Sequence, residues 1–93
     1  MRRRHHFHID YRGHSVSVTV ETGLRQVVEV LVDGKETGFA TTRDDRPVTV
    51  PIELPTDPPT PASVRVTPGP GVPRCLLLVE DETDPHVMAP RLY

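Results

Sequence analysis

Four of the five histidines fall early in the chain, at His5, His6, His8 and His14. Imidazole is a common ligand for Zn²⁺, Ni²⁺ or Cu²⁺, so this cluster is the first place to look for chemistry. Residues 5–11 alternate apolar and polar, which reads as a strand. Phe7, Ile9 and Tyr11 take one face, and His6, His8 and Asp10 take the other. Side chains at i and i+2 on a strand stand about 7 Å apart at Cα, which is workable for one metal ion. Asp10 is the nearest third ligand, but three successive positions on one flat strand converge poorly. Arg2, Arg3 and Arg4 add positive charge that opposes a cation. The metal reading therefore names His6, His8 and Asp10. Its competitor is a solvated histidine face.

Covalent chemistry fares worse. Ser15 and Ser17 lie near the histidines, but in a two-strand ladder Ser15 pairs with Asp10 while His14 projects to the opposite face. No nucleophile, base and orienting group line up. Asp44-Asp45 belongs to a polar turn. The Pro68-Gly69-Pro70-Gly71 loop has prolines where a phosphate cradle needs backbone N–H donors. Cys75 is the only cysteine and sits in the apolar run Cys75-Leu76-Leu77-Leu78-Val79, so it reads as a small buried hydrophobe. One cysteine excludes an internal disulfide framework and a cysteine zinc cluster. These readings favour a non-enzymatic protein without a cofactor; a small enzyme or an accessory subunit of an enzyme is the rival.

The elements that position these residues are strands. Residues 14–21 alternate, with Val16, Val18 and Val20 on one face. A two-residue loop at Arg12-Gly13 pairs Tyr11 with His14, Ile9 with Val16 and Phe7 with Val18, joining the two apolar faces. Residues 27–39 hold the strongest local signal, Asp33-Gly34 between two β-prone runs. The run before that turn is apolar on both faces, which places it inside a sheet. The register predicted across the turn sets Val30 against Thr37 and Val28 against Phe39, with Gly38 opposite Glu29 as a bulge marker. Residues 48–54 alternate, and Pro51 confines that strand to an edge. Residues 55–62 form a proline-rich connector, expected to cross between two sheets. Residues 63–67 and 74–80 are further strands. Residues 85–93 form a tail that either docks as a short edge strand or frays. The fold class predicted is all-β, a small antiparallel sandwich or curled sheet of about seven strands in one domain spanning 1–93.

With 93 residues and aromatics at 4%, the chain supports one thin, Val-rich core. The net charge of −2 is uneven. Residues 1–35 carry six basic and four acidic side chains, and residues 36–93 carry five and nine. Residues 1–4 form a basic arm that could touch phosphates, but the rest is acidic and no aromatic-bearing strand face alternates with basic residues, which disfavours nucleic acid. No apolar segment follows the arginines as an export signal requires, and no run is long enough to cross a membrane, so the cytoplasm is the expected compartment.

Gly13-His14, Thr22-Gly23 and Val30-Leu31-Val32-Asp33-Gly34-Lys35 occupy the order in which the Fas apoptotic inhibitory molecule family carries a Gly-x-His strand, a Gly-containing turn and a Val-x-Val-Asp-Gly-Lys hairpin, with Gly13 and His14 adjacent where the family has one residue between them. Residues 13–36 therefore resemble part of that family's β-domain. The resemblance implies a small all-β domain that acts through protein surfaces. The partner expected is another protein or a second copy of the chain, added along an exposed edge. Residues 48–54 are blunted by Pro51, which leaves the tail, with Val87, Met88, Leu92 and Tyr93, as the expected docking edge.

Overall fold

A computed structural model describes residues 3–43, 46–69 and 71–91, and among them every regular element is a strand. The strands are β1 (Arg3–Tyr11), β2 (His14–Thr22), β3 (Gln26–Val32), β4 (Lys35–Thr42), β5 (Val48–Leu54), β6 (Thr60–Thr67), β7 (Arg74–Val79), β8 (His86–Val87) and β9 (Ala89–Arg91). They form two antiparallel sheets, one in the order β4-β3-β2-β1-β9 and one in the order β5-β6-β7-β8. The arrangement is sandwich-like, as the spacing of alternating runs and turn signals predicts.

The inner faces follow the period-two pattern. Val16, Val18 and Val20 of β2 and Val28, Val30 and Val32 of β3 are buried against Val50, Ile52 and Leu54 of β5, Val64 and Val66 of β6, and Cys75, Leu77 and Val79 of β7. Nearly all are β-branched or small, which suits a pleated, half-buried surface. The β1–β2 register sets Tyr11 against His14, Ile9 against Val16 and Phe7 against Val18, as the alternation requires. Both tight turns hold two positive φ angles, 49° and 81° at Arg12 and Gly13, and 52° and 83° at Asp33 and Gly34. That geometry follows the twist of the flanking strands, and glycine at the second position meets it without Cβ strain. The two turns are also tied together. The Asp33 carboxylate accepts from the Ser15 N–H at 2.9 Å and meets His14 Nδ1 at 2.8 Å, and both contacts hold its pKa below the ordinary value.

Five expectations change. First, β4 carries a bulge. Leu31 pairs with Glu36 but Val30 pairs with Gly38, so Thr37 is the extra residue. This moves Phe39 opposite Glu29 and onto the outer face, and it turns Gly38 inward. A Cβ at Gly38 would lie 2.6 Å from Val50 Cγ1 and 3.1 Å from Ile52 Cγ2, so only glycine lets β4 approach β5 this closely. Second, the proline-rich segment does not cross between sheets. It joins β5 to β6 within one sheet, and β6 already begins at Thr60. The chain changes sheets instead between β4 and β5. Third, Arg3 and Arg4 are not an arm; they belong to β1, opposite Thr22 and Glu21, and Arg4 pairs with Glu21 at 3.2 Å. Met1 and Arg2 lie outside the described residues. Fourth, the charge imbalance between residues 1–35 and 36–93 is partly met by direct pairing, since Arg12 forms ion pairs with Asp81 and Glu82. Fifth, the tail forms two strands. Of the two alternatives for the tail, docking is the one seen, with two short strands where one was expected: β8 pairs with β7, the chain passes through buried Met88, and β9 pairs with β1, so the tail laces the two sheets together and the described residues hold nine strands.

Candidate functional site

His6, His8 and Asp10 share the outer face of β1, and β9 lies alongside. His8 is well covered, with only 12% of its side chain exposed. Its Nε2 lies 2.8 Å from Ser15 Oγ and 3.4 Å from Asp10 Oδ1, and its Nδ1 lies 2.9 Å from Arg91 Nη2. Guanidinium nitrogens only donate, so Nδ1 must hold its lone pair toward Arg91. The ring proton then sits on Nε2 and is donated to Ser15 or Asp10. A histidine that activates a serine needs the opposite arrangement, with a free Nε2 lone pair facing the hydroxyl. The Ser15–His8 contact is therefore a hydrogen bond that orients two side chains. It is not a poised nucleophile.

The same network bears on metal. His6 Nδ1 lies 3.3 Å from Thr19 Oγ1, and both nitrogens of His8 have partners. Among the described residues, no three His, Cys, Asp or Glu side chains converge as a metal site. A shallow groove of about 320 Å³ runs along this face between His6, Ser17, Thr19 and Arg91. It places a guanidinium beside the imidazoles, where a cation would have to sit.

A second cluster was not legible from local sequence. Tyr11, at the end of β1, is buried, and its hydroxyl donates to the Glu82 carboxylate in the loop between β7 and β8. Glu82 also meets His86 Nε2 at 2.6 Å and Arg12 Nη2 at 3.2 Å. Arg12 caps the Tyr11 ring with its guanidinium carbon 5.0 Å from the centroid, and the His86 ring stands edge-on to Tyr11 at 5.1 Å. The Tyr11 hydroxyl and then His86 hold the Glu82 pKa below its ordinary value, while burial and then Glu82 push the Tyr11 phenol upward. A carboxylate that accepts from three donors is a clamp between the sheets. Beside it lies a groove of about 390 Å³, bounded by Arg12, Asp81 and the proline-rich loop. There the Thr56 hydroxyl bonds the Pro58 carbonyl and the Thr60 hydroxyl, an arrangement that fixes the loop. Tyr11 and Glu82 are 71 positions apart, and no local pattern links them.

Of the tail residues expected to face a partner, Val87 is exposed and Met88 is buried in the core at 2% exposure. Met88 must bury its thioether where the chain changes sheets, so it is unavailable as a contact. Leu92 and Tyr93 lie outside the described residues.

The sheet edges differ sharply. β8 has two residues, β9 has three including Pro90, and β5 is interrupted by Pro51. β4 has eight residues, contains no proline, and is uncharged from Thr37 to Thr42. Its outer face presents Phe39 at 58% exposure. Long, uncharged edges with an exposed aromatic are the kind that pair with another strand. The bulge blunts only the first part of β4 and leaves Gly38–Thr42 regular. The sequence signal for this was Gly38, whose bulge was foreseen one position away from where it falls.

Comparison with protein-family models, with curated proteins and with solved structures gave no match to this chain.

Proposed function

We propose that this domain is a non-enzymatic protein-interaction module that receives an extended strand along β4. The observation that carries the reading is the contrast between edges among the described residues: three are short or interrupted by proline, and β4 is long, uncharged from Thr37 to Thr42, and presents Phe39. Main-chain hydrogen bonds along Gly38–Thr42 would supply affinity, and Phe39 would supply the side-chain anchor. The proton placement at His8 and the engagement of Glu82 by three donors favour structural roles for both side chains, which supports a binding role over catalysis. The resemblance of residues 13–36 to the Fas apoptotic inhibitory molecule family points the same way.

The test is selection of extended peptides from a random displayed library against the full chain, with the footprint mapped by amide NMR. The proposal expects selected peptides to shift the amide signals of Gly38–Thr42 and to lose binding to the Phe39→Lys variant. Peptides that bind but leave β4 unperturbed would sink it.

A further inference from the structure

We infer that the strand β4 fits best is β4 of a second copy, paired antiparallel about a two-fold axis through Ala40. This inference rests on β4 being the docking edge. A two-fold perpendicular to a continuous sheet must pass through a residue position, because cross-strand neighbours point to the same face. The bulge fixes which position works. Measured along the ladder by partners on β3, Glu36 lies opposite Leu31 and Ala40 opposite Val28, three steps apart. Thr42 lies opposite Gln26, two steps beyond Ala40 on the other side, and Arg43 is the next residue, just past the end of the ladder, so continuing the strand by one residue would put it at the third step. Without the extra residue at Thr37 this symmetry would fail by one step.

Centred on Ala40, the pairing therefore sets Glu36 of each copy across from Arg43 of the other, twice, and on the same outer face. Phe39 lands across from Thr41 of the other copy and diagonal to its Phe39, within reach of an aromatic ring. Glu36 and Arg43 are both exposed in the single chain, as is Phe39. Between the two charged ends the strand carries no charge, so no like pair is brought together. Moving the axis to Phe39 or Thr41 loses the direct opposition of Glu36 and Arg43. The ends of this edge are thus complementary to themselves in one register, which argues for a second copy over an unrelated strand.

The test uses the full chain in sedimentation equilibrium from about 1 µM to 1 mM, with circular dichroism confirming that each variant is folded. The wild type is expected to associate to a dimer. Glu36→Arg alone and Arg43→Glu alone each place like charges opposite one another twice, and each should weaken the dimer about tenfold. An equimolar mixture of the two variants re-creates both opposite-charge pairs and should recover association as a heterodimer. A wild type that stays monomeric at 1 mM overturns self-pairing, and so does a dimer indifferent to both reversals. If the chain is monomeric while selected peptides still dock on Gly38–Thr42, self-pairing fails and the edge reading stands. If those peptides also bypass β4, both fail.

Discussion

Replacing Gly38 with alanine is the sharpest probe of how the two sheets meet at β4 and β5. The added methyl would stand 2.6 Å from Val50 Cγ1 and 3.1 Å from Ile52 Cγ2, both on stiff β-branched side chains. Forcing one carbon into a packed contact costs roughly 1–3 kcal/mol. Gly38 is not in a left-handed conformation, so alanine brings no backbone strain and gains roughly 0.4–1 kcal/mol by restricting the unfolded chain. The net loss should be about 1–2 kcal/mol, equivalent to a fall in Tm of about 5–15 °C for a domain of this size. Urea denaturation would measure it, with the slope checked for two-state behaviour. The decisive comparison is the same change in a Val50→Ala background, which removes the nearer contact. There the Gly38→Ala penalty should shrink by about 1 kcal/mol, the coupling expected of residues in contact. Equal penalties in both backgrounds, or no penalty at all, would refute the close approach of β4 to β5.

Three further outcomes follow from the structure. Glu82 has a depressed folded-state pKa, so its contribution to stability is complete above its unfolded value near 4.5 and is lost as pH falls through the lower folded value. Tyr11→Phe keeps the ring but removes the donor, so it should lower Tm at neutral pH and flatten the acid limb of the stability profile; an unchanged limb would count against the clamp. Cys75 is 1% exposed and burial pushes its thiol up to about 12, so Ellman's reagent at pH 8 should label it only after unfolding; stoichiometric reaction with native protein would contradict that burial. Met88→Ala should cost roughly 2–5 kcal/mol, a large share of the roughly 5–14 kcal/mol a domain of this length holds. Limited proteolysis should then cut near residues 80–86, and full resistance would mean that Met88 does not lace the tail to the core.

Local pattern carried much of the fold. The β1–β2 register and both turns follow from period-two alternation and from Arg12-Gly13 and Asp33-Gly34, because those signals act over a few residues. Pro51 placed β5 at an edge for a reason intrinsic to its ring. What was not legible depends on contacts between distant parts of the chain. The bulge at Thr37 answers to Val50 and Ile52 on the other sheet, so the position of Phe39 could not be read from the hairpin alone. β8 and β9 are too short to show alternation; Met88 holds them by burial. The histidine face was correctly grouped on β1, but the tautomer of His8 is set by Arg91, 83 positions away. The Tyr11–Glu82 clamp escaped for the same reason.

The pairing of β1 with β9 sets an order in time. Phe7 lies opposite Pro90, and His6 opposite Arg91, so the first strand described finds its outer neighbour in the last. At roughly 5–20 residues per second, β1 and β2 are made about 3–14 s before β9 exists. Throughout that interval β1 is an open border of a growing sheet. Along it stand Arg3, Arg4, His5, His6 and His8, side chains poorly suited to capture by another nascent chain. Residues that first suggested a metal ligand set thus also guard the unfinished sheet, until Met88 is drawn into the core and β9 closes over them.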